Sequence, residues 1–461
     1  EMIEKGKRGG VCQVSSKYAK ANNKHMKDYD NDIISSYLTY LDANNLYGLA
    51  MCMKLPYANL HWCNDIQTTD DVMKYEDNDI GYLLEVDLHY PKHLHDYHKD
   101  YPLAPELMSV KENMVSDVSK EIYKCYNDGR TVRDEKTSKL LLTLYDKDKY
   151  VIHIRNLKYY LEKGLVLKQV HRCIKFNQSE WLKEWIDFNT EKRKEATNDF
   201  DKDLFKLMNN AVYGKTMEDV RGHVDFELVD TPERMEKLLN APTLKHRHIL
   251  NDNLVGVEKI KPVMKLNKPI YIGVSILELS KLHMYQYYYD VMKKKYDDKI
   301  KLLYTDTDSF IFHIETEDLY KDFDDMKEHM DFSGYDKSHP CYDNTNKKVL
   351  GKFKDEHDGK IFTLHIGLKP KMYCCETDDK KATKKAKGVD RKVVKNELTS
   401  DDFLYTLTDN KQSHYTSNKI CSKNHQVFSV TINKVGLSNY DNKRYYTDNI
   451  TSIPYGHYSI N

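Results

Sequence analysis

The stretch Tyr304-Thr305-Asp306-Thr307-Asp308-Ser309-Phe310 constrains this chain more than any other, because two carboxylates one residue apart stand between two apolar runs, "KIKLL" before and "IFHIE" after. Ile300, Leu302 and Tyr304 alternate on one side, and Phe310, Phe312 and Ile314 on the other. The flanks therefore read as two strands, and the acidic segment as a hairpin turn with Asp306 and Asp308 at its tip. Side chains two apart on an extended chain share a face, and two negative charges about 4 Å apart repel by roughly 1 kcal/mol in water and about 4 kcal/mol at an effective dielectric of about 20. A hard divalent cation relieves that repulsion, since Mg²⁺ takes carboxylate oxygens, keeps some water and accepts substrate phosphates as its other ligands. Taken alone, a D-x-D is more often a solvated acidic turn, so the rest of the chain decides.

With 461 residues, 40% hydrophobic and 31% charged, the chain is long enough for several domains and has the balance of a soluble globular protein. No run approaches the ~18 apolar residues of a membrane span, and the N-terminal "EMIEKGKRGG" lacks the apolar stretch of a secretory signal. Position 1 is not Met, which suggests a piece or a processing product. The nine cysteines show no C-x-x-C, and the adjacent Cys374-Cys375 suits a disulfide poorly; they read as reduced thiols in an intracellular setting, with no structural zinc expected. His89, His93, His95 and His98 could hold a metal, but they read as an exposed loop.

Seventy-two basic residues balance seventy-two acidic ones, so net charge gives no argument for nucleic acid. The distribution is more informative. Residues 369–396 carry ten Lys/Arg against four Asp/Glu, and residues 316–345 carry three against nine. Such segregation fits two solvated surfaces, or a phosphate-facing groove beside an acidic exterior.

There is no internal repeat and no Gly/Ser linker. "SYLTYLD" at 36–42 reads as a strand that delivers Asp42 at its end, "GYLLEVDL" at 81–88 and "KYVIHI" as further strands, and Pro102 and Pro105 mark a loop. One long helical region is expected from Gln178 to about Val220, and a second from about Ser275 to Lys295, feeding the strand before the acidic turn. In "EKRKEATNDFDKDLFKLMNNAVYGKT", Lys206, Asn210 and Tyr213 fall on one side of a helix, with Lys202 one turn before Lys206 and Lys194 two turns earlier. A row of lysines ending in Asn and Tyr suits a triphosphate below a base pair, and equally fits a solvated face. "GKT" at 214–216 imitates a phosphate loop, but that motif needs Gly where Asn209 stands. Asp42, Asp306 and Asp308 together could serve a two-metal phosphoryl-transfer site.

These segments occur in the order of the motifs of family B DNA polymerases, and the chain resembles the protein-primed branch found in certain viruses, linear plasmids and Polinton/Maverick-type elements. The resemblance covers residues from about 8 to at least 390. "DANNLYG" resembles the first palm motif, "KLMNNAVYG" the fingers motif K-x-x-x-N-S-x-Y-G, "YTDTDS" the second palm motif and "KMY" at 371–373 the K-x-Y motif. It implies a mixed α/β right-hand architecture with a β-sheet palm, helical fingers and a thumb. The divisions would be a linker remnant and first palm segment at 1–60, a terminal-protein-region-like insertion at 61–177, fingers at 178–260, palm at 261–375 and thumb at 376–461. A second insertion would lie at 217–265.

By position, the resemblance implies that Asp42 and Asp308 are the principal ligands of two Mg²⁺ ions, with Mn²⁺ as a substitute and Asp306 in support. Tyr47 would pack under the incoming sugar and exclude a 2′-hydroxyl. Lys194, Lys202 and Lys206 would contact the triphosphate, and Asn210 and Tyr213 the nascent pair. Lys371 and Tyr373 would meet the primer terminus; Thr307 and the lysine run Lys380, Lys381, Lys384 and Lys385 are further primer or DNA contacts. The implied partners are primer-template DNA, dNTP and a terminal protein primer, with no membrane. The first motif has Asn45 and Gly48 where Ser and Pro are usual, and the fingers motif has Ala211 for Ser. "RGG" at 8–10 resembles the Y-x-G-G linker, with Lys7 in place of Tyr; only seven residues precede it, so the chain as given is expected to be the polymerase part without a proofreading exonuclease. The one D-x-E considered for such an activity, Asp225-Phe226-Glu227, reads as a strand with solvated alternate positions.

Two rival readings stand beside this one. A reverse transcriptase usually places its second-motif carboxylates side by side, whereas Thr307 separates them here. A catalytically silent, domesticated element remnant would bind DNA or a protein partner without turnover; the retained Asp42, Asp306 and Asp308 argue against it.

Overall fold

The computed structural model describes residues 1–423 and 426–460. At its centre is a sheet whose strands run, in spatial order, Cys12–Val14, Ile300–Asp306, Ser309–Glu315, Ser36–Ala43, Phe362–Lys369, Met372–Thr377 and Ala382–Ala386. The acidic turn closes the expected hairpin, with Ile300 opposite Ile314 and Asp306 opposite Ser309. Ser36–Ala43 lies antiparallel beside it, Asp42 opposite Ser309. Pairing therefore brings carboxylates from two distant stretches of sequence to one end of the sheet.

Both faces of this sheet are covered. Phe310, Phe312 and Ile314 enter the main core with helix Ile270–Gln286 and its π-helical continuation Tyr287–Lys293, whose Tyr287 and Tyr288 rings lie against Phe310 and Phe312. Leu303, Tyr304 and Ile311 enter a second core with Cys12, Val14, Leu38 and Tyr373. The expected alternation of Ile300, Leu302 and Tyr304 on one face fails at Leu303. A register shift between Leu302 and Tyr304 puts these two residues in opposite cores, because one extra residue in a strand inverts the alternation that follows.

The helix expected from Ser275 starts at Ile270, directly after Pro269, and is buried on nearly every side, Glu278 and Lys281 included, as a helix at the centre of a large core is. It packs on helix Leu46–Cys52 and on a second antiparallel sheet of order Leu55–Cys63, Val166–Ser179, Ile80–His89, Lys147–His153. That sheet takes its strands from between residues 55 and 179. It shares the main core with the central sheet: Leu84, Val86 and Ile152 belong to the same cluster as Phe310. His95 and His98 are not in an exposed loop; they are buried, His98 Nδ1 lying 2.7 Å from the Tyr90 hydroxyl and His95 Nδ1 accepting from the Tyr458 N–H. His89 faces Asp146 instead.

The single helical region expected over 178–220 is two helices, Lys183–Glu195 and Asp199–Thr216, packed on each other. No Gly or Pro marks the break. Asn198 makes it: its side chain accepts the Asp201 N–H at 2.8 Å and caps the second helix, an alternative to helix continuation that Asn side chains offer. Lys194 therefore lies on a different helix from Lys202 and Lys206. Next comes a small sheet of order Asp225–Val229, Leu254–Lys259, Leu244–Asn251. The expected strand at Asp225 is present, but its alternation is reversed. Glu227 is paired with Arg234 and Lys259, while Phe226 and Leu228 are the exposed positions.

Of residues 376–461, Ala382–Ala386 is an edge strand of the central sheet, and helices Arg391–Asn396 and Ser400–Thr408 share a core with Ile366 and Leu368 of that sheet. The hairpin of His414–Lys423 and Gln426–Val435 is largely exposed. The chain then returns to the other edge, where the Tyr446 hydroxyl donates to Val14 O at 3.1 Å and Ser452 Oγ to Ser15 O at 2.7 Å. Among the described residues, no helix is long and apolar enough to cross a membrane.

Candidate active site

The turn between the two hairpin strands is Thr307-Asp308. Thr307 adopts φ +62°, in the left-handed region a two-residue hairpin turn demands. Its N–H donates to Val11 O at 2.7 Å, and Gly10 lies so close that a Cβ there would stand 2.2 Å from Thr307 Oγ1. Gly10 of "RGG" is thus explained locally: the chain there passes directly against the acidic turn. Arg8 anchors that segment, buried with its guanidinium 3.4 Å from Glu278 and 3.8 Å from the Tyr150 ring centre.

Asp42, Asp306, Thr307 and Asp308 line one cavity of about 1110 Å³, with Tyr47, Lys371 and Tyr373. Asp42 and Asp308 are half-buried, and among the described residues neither has a cationic side chain within ion-pair distance. Burial first, then the charge of Asp308, pushes the Asp42 carboxyl up to about 8. Burial also raises Asp308, with Asp306 adding to the effect. Two half-buried, mutually destabilising carboxylates facing a cavity suit a divalent cation. Asp306 differs. Tyr304, re-aimed by the bulge, donates its hydroxyl proton to Asp306 Oδ2 at 3.2 Å and accepts the Lys371 N–H at 3.1 Å, while Lys371 Nζ lies 2.7 Å from Asp306 Oδ1. The three aspartates consequently do not close into one ligand set; among the described residues the one grouping of three such ligand atoms within 4.8 Å is Asp87, Asp148 and His171 on the second sheet. There His171 Nε2 lies 2.8 Å from Asp87.

Helix Leu46–Cys52 starts at Asn45, which has φ +41° and accepts the Gly48 N–H on its side chain at 3.2 Å. A Cβ on Gly48 would stand 2.2 Å from Asn45 Nδ2, so the unusual Asn45 and Gly48 require each other. Tyr47 is thereby presented to the cavity, stacked on Tyr213 with centres 4.7 Å apart. Lys206 acts on both Asp42 and Asp308 through its charge. Lys194 and Lys202 are paired with Glu191 and Asp199 of their own helices. Asn210 is half-buried next to the buried Asn209.

Tyr373 shares a 2.9 Å hydroxyl contact with Tyr40, and Lys371 sits at a hairpin turn with φ +63°. The lysine run splits. Lys384 and Lys385 line the cavity, Lys384 tied to the carbonyl of Leu398; Lys380 and Lys381 lie on the outer 378–381 turn and do not line it. Lys387, Arg391 and Lys395 do, and the sequence reading passed over them. Their spacing of four along "KGVDRKVVK" was the available signal.

No protein-family model matches the chain, and no curated protein sequence matches it. Solved structures do. "Phi29 DNA Polymerase, orthorhombic crystal form" aligns with TM-score 0.54 and 17% identity over 94% of this chain and 62% of that one. "Phi29 DNA polymerase complexed with primer-template DNA" gives 0.53, 16%, 94% and 61%, and the ternary complex with "incoming nucleotide substrates" gives 0.51, 16%, 95% and 62%. The chain spans about three fifths of the length of these polymerases. At this identity the likeness is one of architecture: the chain shares the fold of Phi29 DNA polymerase.

Proposed function

We propose that this chain is a DNA-directed DNA polymerase of the protein-primed type, transferring dNMP from dNTP to a primer 3′-hydroxyl. The observation that carries the reading is the convergence of Asp42 and Asp308, half-buried and, among the described residues, without a cationic partner, on a cavity whose other wall is basic. In this reading the central sheet, with its edge strand Ala382–Ala386, is the palm, the helical hairpin 183–216 the fingers and the segment from 391 onward the thumb. The second sheet would be the terminal-protein-region insertion, and initiation would use the hydroxyl of a protein primer.

Asp42 and Asp308 would hold Mg²⁺, or Mn²⁺ in its place, with Asp306 in support. Two divalent ions bound there supply a lowered pKa for the primer hydroxyl and neutralise charge on the triphosphate and leaving pyrophosphate. Lys206 brings positive charge to the triphosphate side. Tyr47 forms a wall beneath the incoming sugar, and Tyr213, stacked on it, faces the nascent pair with Asn210. Lys371 and Tyr373 orient the primer terminus, and Lys385, Lys387, Arg391 and Lys395 neutralise backbone phosphates.

Single-nucleotide primer extension tests this. With Mg²⁺ and four templates differing in the first unpaired base, the expected result is incorporation of the complementary dNMP on each. Absence of extension on all four, or addition that ignores the template, contradicts it.

A further inference from the structure

Strand Leu55–Cys63 ends on a cysteine, and its antiparallel neighbour in the second sheet, Val166–Ser179, places Cys173 directly opposite. The two sulfurs are 3.3 Å apart, although 110 residues separate them in sequence. Among the described residues this is the one contact between cysteine sulfurs. Cys374 and Cys375 do not imitate it, because neighbours on a strand point to opposite faces: Cys374 enters the core around Ile366, and Cys375 the one around Leu303. Residues directly opposite each other in an antiparallel pair have Cα atoms about 4.5–5.5 Å apart, inside the range of about 4.4–6.8 Å that a disulfide bridges. Small side-chain rotations therefore bring the Cys63 and Cys173 sulfurs from contact to bonding distance.

The surroundings favour a bond between the sulfurs over a metal held by them. A tetrahedral thiolate-bound metal needs further ligands, and the neighbouring carboxylate, Asp65, is engaged by Lys175 Nζ at 2.7 Å and by the Tyr82 hydroxyl at 3.2 Å. Among the described residues neither cysteine belongs to a group of three close ligand atoms. The two thiols also differ in reach. Cys173 is buried in the main core, and burial, then Cys63 beside it, hold its thiol well above the ordinary range. Cys63 is half-buried between the exposed Trp62 and Asn64, so a solute meets it first. The strand that carries Cys63 is loosely laddered: its pairing slips between Pro56 and Ala58 and again between Ala58 and His61, and Asn59 has φ +56°. A cross-link at its last residue fixes that edge of the sheet.

We infer that Cys63 and Cys173 form a reversible disulfide when the protein meets a peroxide, stapling the edge strand 55–63 to its neighbour. In the first step the Cys63 thiolate attacks one oxygen of hydrogen peroxide; the O–O bond breaks, the departing hydroxide takes up a proton to leave as water, and Cys63 becomes a sulfenic acid. The Cys173 sulfur then attacks the Cys63 sulfur, the S–O bond breaks, and hydroxide leaves with the Cys173 proton as a second water. One peroxide is reduced, the two sulfurs together lose two electrons, and a thiol reductant reverses the bond. The bond closes a long loop, 110 residues from one cysteine to the other, and so constrains the unfolded chain strongly. Neither cysteine lines the cavity that holds Asp42 and Asp308, and the staple does not depend on what that cavity catalyses.

The test exposes the fully reduced 461-residue chain to hydrogen peroxide and maps its peptides by mass spectrometry without reductant. The expected product is a peptide pair joined through Cys63 and Cys173, lighter by two hydrogens than its separate parts and parted again by dithiothreitol. Cys173→Ser should stop at the Cys63 sulfenic acid, which dimedone traps, and Cys63→Ser should leave Cys173 unlinked. The oxidised parent should melt about 5 °C above the reduced parent, a shift that Cys63→Ser should not show. The mapping of the parent stands even where a variant folds poorly. A parent in which Cys63 proceeds to sulfinic acid without linking to Cys173, pairs with another of the nine cysteines, or stays a thiol under peroxide overturns the inference. A Cys63–Cys173 bond that leaves the melting temperature unchanged overturns the staple as well.

Discussion

Lys371 Nζ lies 2.7 Å from Asp306 Oδ1, so the K-x-Y lysine and one of the two turn carboxylates form an ion pair across the mouth of the cavity. Both ends are held: Tyr304 donates to Asp306 and accepts from the Lys371 backbone. Asp306 is therefore already matched by a cation, whereas among the described residues Asp42 and Asp308 are not.

This division predicts unequal mutants. Asp306→Asn should lower kcat for extension by about tenfold, and Asp308→Asn on the order of a thousandfold, because only the latter removes an unmatched charge from the reacting centre. Steady-state extension with each variant checks it; equal losses would mean that the ion pair gives way when substrate binds.

The stacking of Tyr47 on Tyr213, with centres 4.7 Å apart, makes a rigid wall. Tyr47→Val should raise ribonucleotide incorporation relative to deoxyribonucleotide by about tenfold to a hundredfold, a steric change of the size a hydrophobic pocket provides. Competition between rNTP and dNTP at one template position measures the ratio. An unchanged ratio would place the sugar elsewhere.

The cavity-lining cations and the outer turn should separate in DNA binding. Alanine at Lys385, Lys387, Arg391 or Lys395 should each reduce the slope of log affinity against log salt by about 1, the signature of one lost phosphate contact. Lys380→Ala and Lys381→Ala should change it less, since neither lines the groove. Fluorescence-anisotropy titrations over a salt series distinguish the two groups.

Lys17 supplies a pH test of the returning C-terminal segment. Its ammonium is buried, 2.7 Å from Asn439 O and 4.1 Å above the Tyr446 ring, and burial holds it down to about 7. Between that value and the ordinary lysine range the unfolded chain binds a proton that native Lys17 does not. Stability from this site therefore rises with pH across the window and is lost as pH falls toward 7, by at most about 1.4 kcal/mol per pH unit. Lys17→Met removes the dependence. Urea unfolding of both proteins at about pH 7 and about pH 9 should show the parent gaining on the variant at the higher pH; parallel behaviour would refute the assignment.

The elements that carry the carboxylates were legible because their strands alternate and end in polar residues: Asp42 after "SYLTYL", Asp306 and Asp308 between two apolar runs. The bulge at Leu303 was not, since Leu302 and Leu303 are both apolar and either fits a face. Nor was the break before Asn198, where a side-chain cap acts without Gly or Pro. The contact of Cys63 with Cys173 was hidden for a different reason. The two stand 110 residues apart, and only the register of their strands sets them opposite each other.

The central claim is that Asp42 and Asp308 hold the ions for templated nucleotidyl transfer. The most direct measurement is primer extension by the Asp42→Asn and Asp308→Asn variants with Mg²⁺ and all four dNTPs, read beside their affinity for the same primer-template. The account predicts that extension falls on the order of a thousandfold or more in each variant, while DNA affinity stays within about threefold of the parent, because the basic groove is untouched. Extension at the parent's rate by either variant would contradict it.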